Sequence, residues 1–373
     1  MAKYRIAWMP GDGIGEDVMQ AAHIVLEALA LDAEYIHADI GWKYWCNEGD
    51  PLPIRTINTL KTCTCGLFGA ITSKPKDEAN KELIPELREQ GLTYRSPIVR
   101  LRQEFDLYTN LRPCKAYPGN TLNYRDDIDL VVFRENTEGL YVGVEFYPLP
   151  VDLMDALQTH SANMERFRDT PLEEIALSCR ITTAKGARRI VRQAFEFARQ
   201  FGYETVTLVE KPNVLRETSG MMTRMARIVA AEYPDITLWE TNIDAQMMWL
   251  LKNPTDYGVL VTSNMFGDIL SDLAAQLVGG LGFASSGNIG DSFAIFEPTH
   301  GSAPKYAGQH KVNPTAMLLA VKLMLDWLGE RDMAVALEDS IAKVIADGEI
   351  RTYDLGGEST TLDVARTVAS NLK

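Results

Sequence analysis

Short apolar runs that end in polar residues, separated by longer stretches of helical periodicity, constrain this chain more than any other feature. "KYRIAWMP", "CTCGLFGAITS", "IDLVVFREN", "ETVTLVEK" and "YGVLVTSN" have the near-continuous apolar character of strands buried on both faces. Between them, "GEDVMQAAHIVLEALAL", "AKGARRIVRQAFEFARQFG", "SGMMTRMARIVAAEYP" and "PTAMLLAVKLMLDWLGE" place apolar residues three and four apart, as one helix face requires. Such alternation predicts an α/β fold with a largely parallel sheet. Ligands of these sheets sit beyond the carboxyl ends of strands, so the polar tails are where chemistry is sought. Residues 142–180 break the alternation, mixing Pro, acids and short strand-like pieces with aromatic and apolar residues. That mixture fits a disordered insert, or an arm that packs on something such as another subunit.

At 373 residues the chain exceeds one ordinary core, so two domains are expected. A net charge of −14 argues against nucleic acid as a partner and demands a local basic pocket for any small anion. No apolar run approaches the roughly 20 residues of a membrane span. The N-terminal "MAKYRIAWMPGDGIG" reads as a strand entering a loop, not as a signal peptide. Five cysteines, an odd number, form no disulfide framework, and Cys63 and Cys65 read as strand or core thiols. A cytoplasmic location is expected.

Candidate chemistry lies at the strand ends. "GDGIGEDV", Gly11 to Val18, has the setting of a phosphate cradle. Glu16 stands where the dinucleotide fingerprint has its third Gly, and a tight strand-to-helix turn explains the stretch as well. "VRLRQEFDLYTNLRP" and "VVFREN" carry Arg100, Arg102, Arg112 and Arg134. Guanidinium forks match carboxylates bidentately, and three reaching one pocket suit a di- or tricarboxylate. Scattered surface charge explains Arg100, but it explains poorly Arg134, which ends an apolar strand. Tyr141 follows closely; a cation that lowered its pKa would make it an acid, though most loop tyrosines only pack. Lys211, in "LVEKPNV", ends a strand where desolvation can depress its pKa, or where it snorkels outward.

"SNMFGDILSD" sets Asp268 and Asp272 one helical turn apart, on one face, where like charges repel. With Asp244 they make three carboxylates suited to a hard divalent cation, Mg²⁺ or Mn²⁺. The helix dipole acting on Asp268 is the alternative. "FEPTHGSAPKYAG" offers the backbone N–H groups of Gly301, Ser302 and Ala303 to a phosphate. His300 is placed to meet an adenine, and Lys305 and Tyr306 an additional phosphate.

Together these motifs resemble the β-decarboxylating dehydrogenases that act on isocitrate, homoisocitrate and 3-isopropylmalate, and most of all the isocitrate and homoisocitrate members. The resemblance runs from "PGDGIG" through "DLYTNLRP", "RENTEGLY", "EKPNV" and "NMFGDILSDLAAQLVGGLGFASSGNIG" to "FEPTHGSAPKYAG" and "RTYDLGG". It implies a two-domain fold of the isopropylmalate-dehydrogenase type, not a standard Rossmann domain. Residues 1–107 and 279–373 would form a large domain, and 108–278 a small domain with the dimer interface. An arm at about 142–180 would interlock with a second copy. The implied reaction oxidises a 2-hydroxy acid by hydride transfer to a nicotinamide, then expels CO₂ and protonates the resulting enolate.

In the roles so implied, Ser96, Arg102, Arg112, Arg134 and Asn213 bind substrate, and Asp244, Asp268 and Asp272 serve the metal. Tyr141 protonates the enolate, and Lys211 with Asp244 deprotonates the hydroxyl. Lys211 and Asp244 would come from the neighbouring subunit, so at least a homodimer is implied. The cofactor would lie on Glu297, His300, Gly301, Ser302, Ala303, Lys305, Tyr306, Val312 and Asn313, with Ile14 at the nicotinamide side and Tyr353 near a phosphate. Lys305–Tyr306 stands where NAD-using members carry an Asp and an aliphatic residue, which favours NADP over NAD; Gly357 departs from the NADP pattern, where a further Arg stands. For the substrate, Ser96 with Arg95 and Arg100 nearby ranks isocitrate first, homoisocitrate second and 3-isopropylmalate third, although Ile98 and Val99 are apolar. A non-enzymatic alternative is a silent regulatory subunit of a hetero-oligomeric dehydrogenase.

Overall fold

The computed structural model describes residues 2–372, the side chain of Lys76 excepted. Its strands are β1 (Tyr4–Gly11), β2 (Ala33–His37), β3 (Cys65–Ala70), β4 (Thr109–Lys115), β5 (Asp129–Glu135), β6 (Glu145–Phe146), β7 (Leu177–Ser178), β8 (Thr205–Glu210), β9 (Thr237–Asn242), β10 (Val259–Thr262), β11 (Ser285–Ile289) and β12 (Ala294–Pro298). Ten of them form one sheet, ordered β2-β1-β3-β12-β11-β4-β5-β10-β8-β9. Both flanks are parallel. The centre is not: β11 runs antiparallel to both β12 and β4, and β4 antiparallel to β5. The sheet is largely parallel as expected, with six parallel pairings, but three antiparallel pairings at its centre make it mixed. The reversal is possible because β11 and β12 are joined by a short turn, a connection open only to antiparallel neighbours.

Each flank is covered on both faces, which is why its strands read as continuous apolar runs. On the first flank, Ile6, Leu67 and Phe296 pack with the helices Gly15–Ala28, Thr315–Leu328 and Arg331–Asp347. Their strand neighbours Ala7, Phe68 and Ile295 face the other way, onto Leu52, Leu60 and Leu101. On the second flank, Phe133, Leu208 and Val261 meet the helices Ala184–Phe201 and Thr218–Ala230. Val132, Val209 and Leu260 meet Leu250 and Leu270 on the opposite face.

Segment 142–180 is folded: β6 pairs antiparallel with β7, and a helix spans Val151–His160. Only Met154 of that helix is buried, while Tyr147 and Val151 are exposed. All five cysteines are free. Among the described residues, no helix is long and apolar enough to cross a membrane.

Candidate active site

The antiparallel centre gathers the arginines. Register across it sets Asn288 of β11 beside Asn110 of β4, and Asn110 beside Arg134 of β5. Arg112 lies two residues along β4 from Asn110, and Arg102 projects from the helix Pro97–Glu104 that leads into that strand. Arg134 is buried, donating from Nε and Nη2 to Asn264 Oδ1 at 3.1 and 2.8 Å and from Nη1 to Asp268. Arg112 Nη1 donates to Ser271 Oγ at 3.0 Å and to Asp272 Oδ1 at 3.2 Å, and its Nη2 lies 3.8 Å from Asp268. Arg102 Nε donates to Asn288 Oδ1 at 2.9 Å, and its Nη2 is 3.6 Å from Glu297. Burial, then the charges of Arg102 and Arg112, push Arg134 down to about 9. Burial likewise lowers Arg102. A guanidinium stays charged at neutral pH regardless, so the corner crowds three cations together, each facing a carboxylate of the chain at its terminal nitrogens.

The helix Asn264–Leu277 closes this corner. Gly267, Leu270, Ser271 and Ala274 point inward at helical spacing. Gly267 must be bare, because an added Cβ would meet Arg134 Cγ at 2.6 Å and its Cβ at 2.7 Å. Asp268 and Asp272 follow on a face reached by Arg112, as their spacing predicts. The helix dipole does not explain Asp268, since the first turn of this helix holds no acid. Tyr141 donates to Asp268 Oδ2 at 2.9 Å, with Arg134 lying 5.5 Å from its ring centre. Its pKa is raised, by burial and then by Asp268, and the nearby cation does not overcome them.

Lys211, just past β8, donates to Asp244 Oδ1 at 2.5 Å. Asp244, at the start of the helix Ile243–Lys252, is exposed, and the Lys211 hydrogen bond holds it below the usual carboxylate range. The chain does not bring this pair to Asp268 and Asp272. Among the described residues, no three acid, His or Cys side chains converge as a metal site. Asp268 and Asp272 fit a hard cation as two solvent-accessible oxygen donors. Asn213 is exposed in the turn after β8. Ser96 caps the start of the helix Pro97–Glu104 without a side-chain hydrogen bond. Arg100 is paired with Asp50, whereas Arg95 is exposed and makes no ion pair among the described residues.

The 297–313 loop forms a second assembly against the Gly-rich turn. Ile14 N donates to Ser302 O at 2.9 Å, and a Cβ at Gly13 would meet that same oxygen at 2.1 Å. Within the chain, the first glycines thus serve close loop approach. Ser302 Oγ is 2.6 Å from Thr72 Oγ1. A Cβ at Gly301 would meet nothing, so protein packing does not require the bare backbone there. His300 Nε2 is buried without a partner, and burial lowers the ring's pKa. An open backbone cradle and an orphaned ring nitrogen fit a nucleotide. Ala303 adopts a left-handed backbone, φ 34°. The rings of Tyr306 and Tyr353 approach to 5.6 Å, and Lys305 Nζ lies 4.7 Å from the Tyr306 ring centre. Glu297 accepts from Asn288 at 2.7 Å, Asn313 donates to Asp354 at 3.1 Å, and Val312 O accepts from Thr361 at 2.6 Å.

Sequence reasoning missed Asn110, Asn264 and Asn288. Each is buried and each holds an arginine. Their only sequence signal was their position inside the "TNLRP", "SNMFGD" and "GNIG" motifs.

A mixed ten-stranded sheet whose reversed centre grips carboxylates, with a nucleotide-fitting loop beside it, marks a decarboxylating hydroxy-acid dehydrogenase. The chain belongs to the isocitrate/isopropylmalate dehydrogenase family, whose description matches residues 5–368. It is 41% identical over 373 residues to a 3-isopropylmalate dehydrogenase of Methanothermobacter thermautotrophicus, covering 100% of both chains. It is 39% identical over 370 residues to an isocitrate/homoisocitrate dehydrogenase of Thermus thermophilus, covering 99% of each. A Legionella pneumophila relative, protein DlpA, is 40% identical, and the chain spans 58% of its length. The crystal structure of isocitrate dehydrogenase from Methylococcus capsulatus superposes with a TM-score of 0.85 at 37% identity, covering 99% of each chain.

Proposed function

We propose that this chain carries out metal-dependent oxidative decarboxylation of a 2-hydroxy acid with a neighbouring carboxylate, isocitrate first, using NADP. The observation that carries the reading is the convergence of Arg102, Arg112 and Arg134 beside Asp268. The arginine forks bind and orient the carboxylates without giving up protons. Lys211, with Asp244, takes the hydroxyl proton, and Tyr141 returns one to carbon after CO₂ leaves. A divalent metal on Asp268 and Asp272, with Asp244 of a second copy, would polarise the hydroxyl and its carboxylate when bound. Lys211 and Asp244 reach the site across a homodimer, which the 142–180 arm helps to hold. Residues 1–107 with 279–373, and 108–278, act as two domains that close on the substrate and exclude water.

Lys305, Tyr306 and Tyr353 favour a 2′-phosphate, since a cation and two phenols attract it and a carboxylate would repel it. Arg95 beside Ser96 supports a third substrate carboxylate. The pairing of Arg100 with Asp50 removes one cation from that argument and gives 3-isopropylmalate its place as the second reading. The silent-subunit alternative is disfavoured, because every acid, base and arginine that the proposed reaction needs is present in the sequence. Steady-state kcat/KM with isocitrate, homoisocitrate and 3-isopropylmalate, each with Mg²⁺ or Mn²⁺ and with NADP or NAD, tests the proposal. Turnover of 3-isopropylmalate alone, or a clear preference for NAD, overturns the corresponding part. No turnover of any acid by a pure homo-oligomer restores the silent subunit.

A further inference from the structure

Each arginine of the site is held the same way. Asn288 Oδ1 accepts from Arg102 Nε at 2.9 Å, Asn110 Oδ1 from Arg112 Nε at 2.7 Å, and Asn264 Oδ1 from Arg134 Nε at 3.1 Å. All three asparagines are buried. Carboxylates touch only the terminal nitrogens: Glu297 at Arg102 Nη2, Asp272 and Asp268 at Arg112 Nη1 and Nη2, and Asp268 at Arg134 Nη1. Three exposed arginines use Nε differently. Arg55, Arg125 and Arg227 donate from Nε to Asp39, Asp127 and Glu240 at 2.7, 2.9 and 2.7 Å. A carboxylate at Nε would orient the fork equally well, but it would also cancel the charge that is to meet the substrate.

We propose that Asn110, Asn264 and Asn288 are positioning residues that fix the three guanidinium forks through a neutral acceptor at Nε, and so add no further negative charge to forks that are to meet the substrate carboxylates. The asparagines are themselves linked. Asn110 Nδ2 donates to Asn288 Oδ1 at 3.0 Å, and Asn136 Nδ2 donates to the same oxygen at 3.0 Å. Asn288 Nδ2 in turn donates to Glu297 Oε1 at 2.7 Å. The forks of Arg102 and Arg112 therefore move as one unit, while Asn264, on the closing helix, holds Arg134 separately. The inference depends on the reading that these arginines bind the substrate acid.

Asn→Asp keeps the acceptor oxygen and adds a charge, whereas Asn→Ala removes the acceptor and adds none. Asn264 is the first choice, because the donor bond it loses goes only to the Glu138 carbonyl. With the acid that the unmodified enzyme uses best, Asn264→Asp is expected to raise the acid KM about tenfold or more, and more than Asn264→Ala does, with the NADP KM little changed. Asn264→Ala is expected to act mainly on kcat, because a freed fork is misaligned but still charged. A merely structural asparagine gives the opposite order, since Asp preserves the acceptor bonds to Arg134 and Ala does not. An acid KM for Asn264→Asp equal to or below that of Asn264→Ala overturns the proposal. If either variant fails to fold, the Asn288→Asp and Asn288→Ala pair is read in the same way.

A second measurement separates the two levels of inference. The shift in melting midpoint given by isocitrate, homoisocitrate or 3-isopropylmalate without cofactor reports binding alone. If one acid shifts the unmodified protein without being turned over, the same Asp-against-Ala order is read from that shift. If none of the acids binds or turns over, the functional reading fails and the inference fails with it. Binding of an acid that is equally strong in the Asp variant overturns the inference and leaves the functional reading standing.

Discussion

The arginine corner and the Lys211–Asp244 pair are built on opposite plans. In the corner, Arg102 and Arg134 are buried, and all three arginines are held by side chains from four separate segments. Lys211 and Asp244 are bonded to each other, and Asp244 faces solvent. The corner is part of the fold, so damage there should cost stability and activity together. The pair is peripheral to this chain, so its loss should cost activity alone. Under the proposed reading, the difference marks the part of the site for which a second copy would be needed.

The strongest way to break that contrast is Arg134→Ala. It strands Asn264 and Asp268 beside an empty stem and is expected to lower kcat/KM by about a thousandfold or more, with a stability loss of roughly 2–4 kcal/mol by denaturant unfolding. A variant that melts normally would refute the buried-corner half of the comparison. Lys211→Met should lower kcat on the order of 10²–10⁴-fold with an unchanged melting midpoint. Co-expressing the two inactive variants sharpens the point: if sites are shared, the randomly assorted mixture should recover roughly a quarter of the unmodified activity, because about half of its dimers are heterodimers and each of those has one whole site of two. No recovery would mean that each copy is complete alone.

Tyr141 lies on the boundary between the regions. Tyr141→Phe should reduce kcat roughly 10²-fold while leaving the acid KM within a few-fold. Burial and Asp268 raise its pKa above the ordinary value. The phenol is thus protonated through neutral and mildly alkaline pH, and kcat should not fall between about pH 7 and 9 through loss of this proton. An alkaline decline that vanishes in Tyr141→Phe would contradict the raised pKa. The smallest expected effect concerns His300, whose pKa burial lowers from 6.5. The unfolded chain then binds a proton that the folded chain refuses, so the stability contribution is present above 6.5 and is lost as pH falls below it. His300→Asn should flatten that part of the melting-against-pH curve slightly; an unchanged curve removes His300 from it.

Much of this was legible in the sequence, for identifiable reasons. Strands buried on both faces announce themselves as apolar runs, and β5, β8 and β10 stand where "IDLVVFREN", "ETVTLVEK" and "YGVLVTSN" predicted. Arginine, aspartate and tyrosine carry their chemistry in their identity, and Arg102, Arg112, Arg134, Asp268, Asp272 and Tyr141 do meet. The reversed centre was not legible. β11 reads Ser-Ser-Gly-Asn-Ile and offers almost no apolar pattern. β4 contains Pro113, tolerated because β11 pairs with β4 only as far as Leu111. Without the reversal, nothing in the sequence brings Asn110 and Asn288 together across 178 positions. An asparagine in a motif is silent about its partner until the register is known. The separation of Asp244 from the other acids was implied by the family resemblance and not by spacing along the chain, which says nothing about where residues from different segments meet.

The backbone at Gly357 bears on how cofactor choice could be inherited or redesigned. A Cβ placed there would meet the Arg351 carbonyl oxygen at 2.1 Å and the Arg351 Cβ at 2.5 Å. The further arginine of the NADP pattern therefore cannot be acquired by exchanging one codon; the 351–357 turn would have to be laid anew first. Under the proposed preference for NADP, a chain with this turn would have to tune its grip on the nucleotide at Lys305, Tyr306 and Tyr353 instead. A shape chosen for packing has closed one path of descent and left another open.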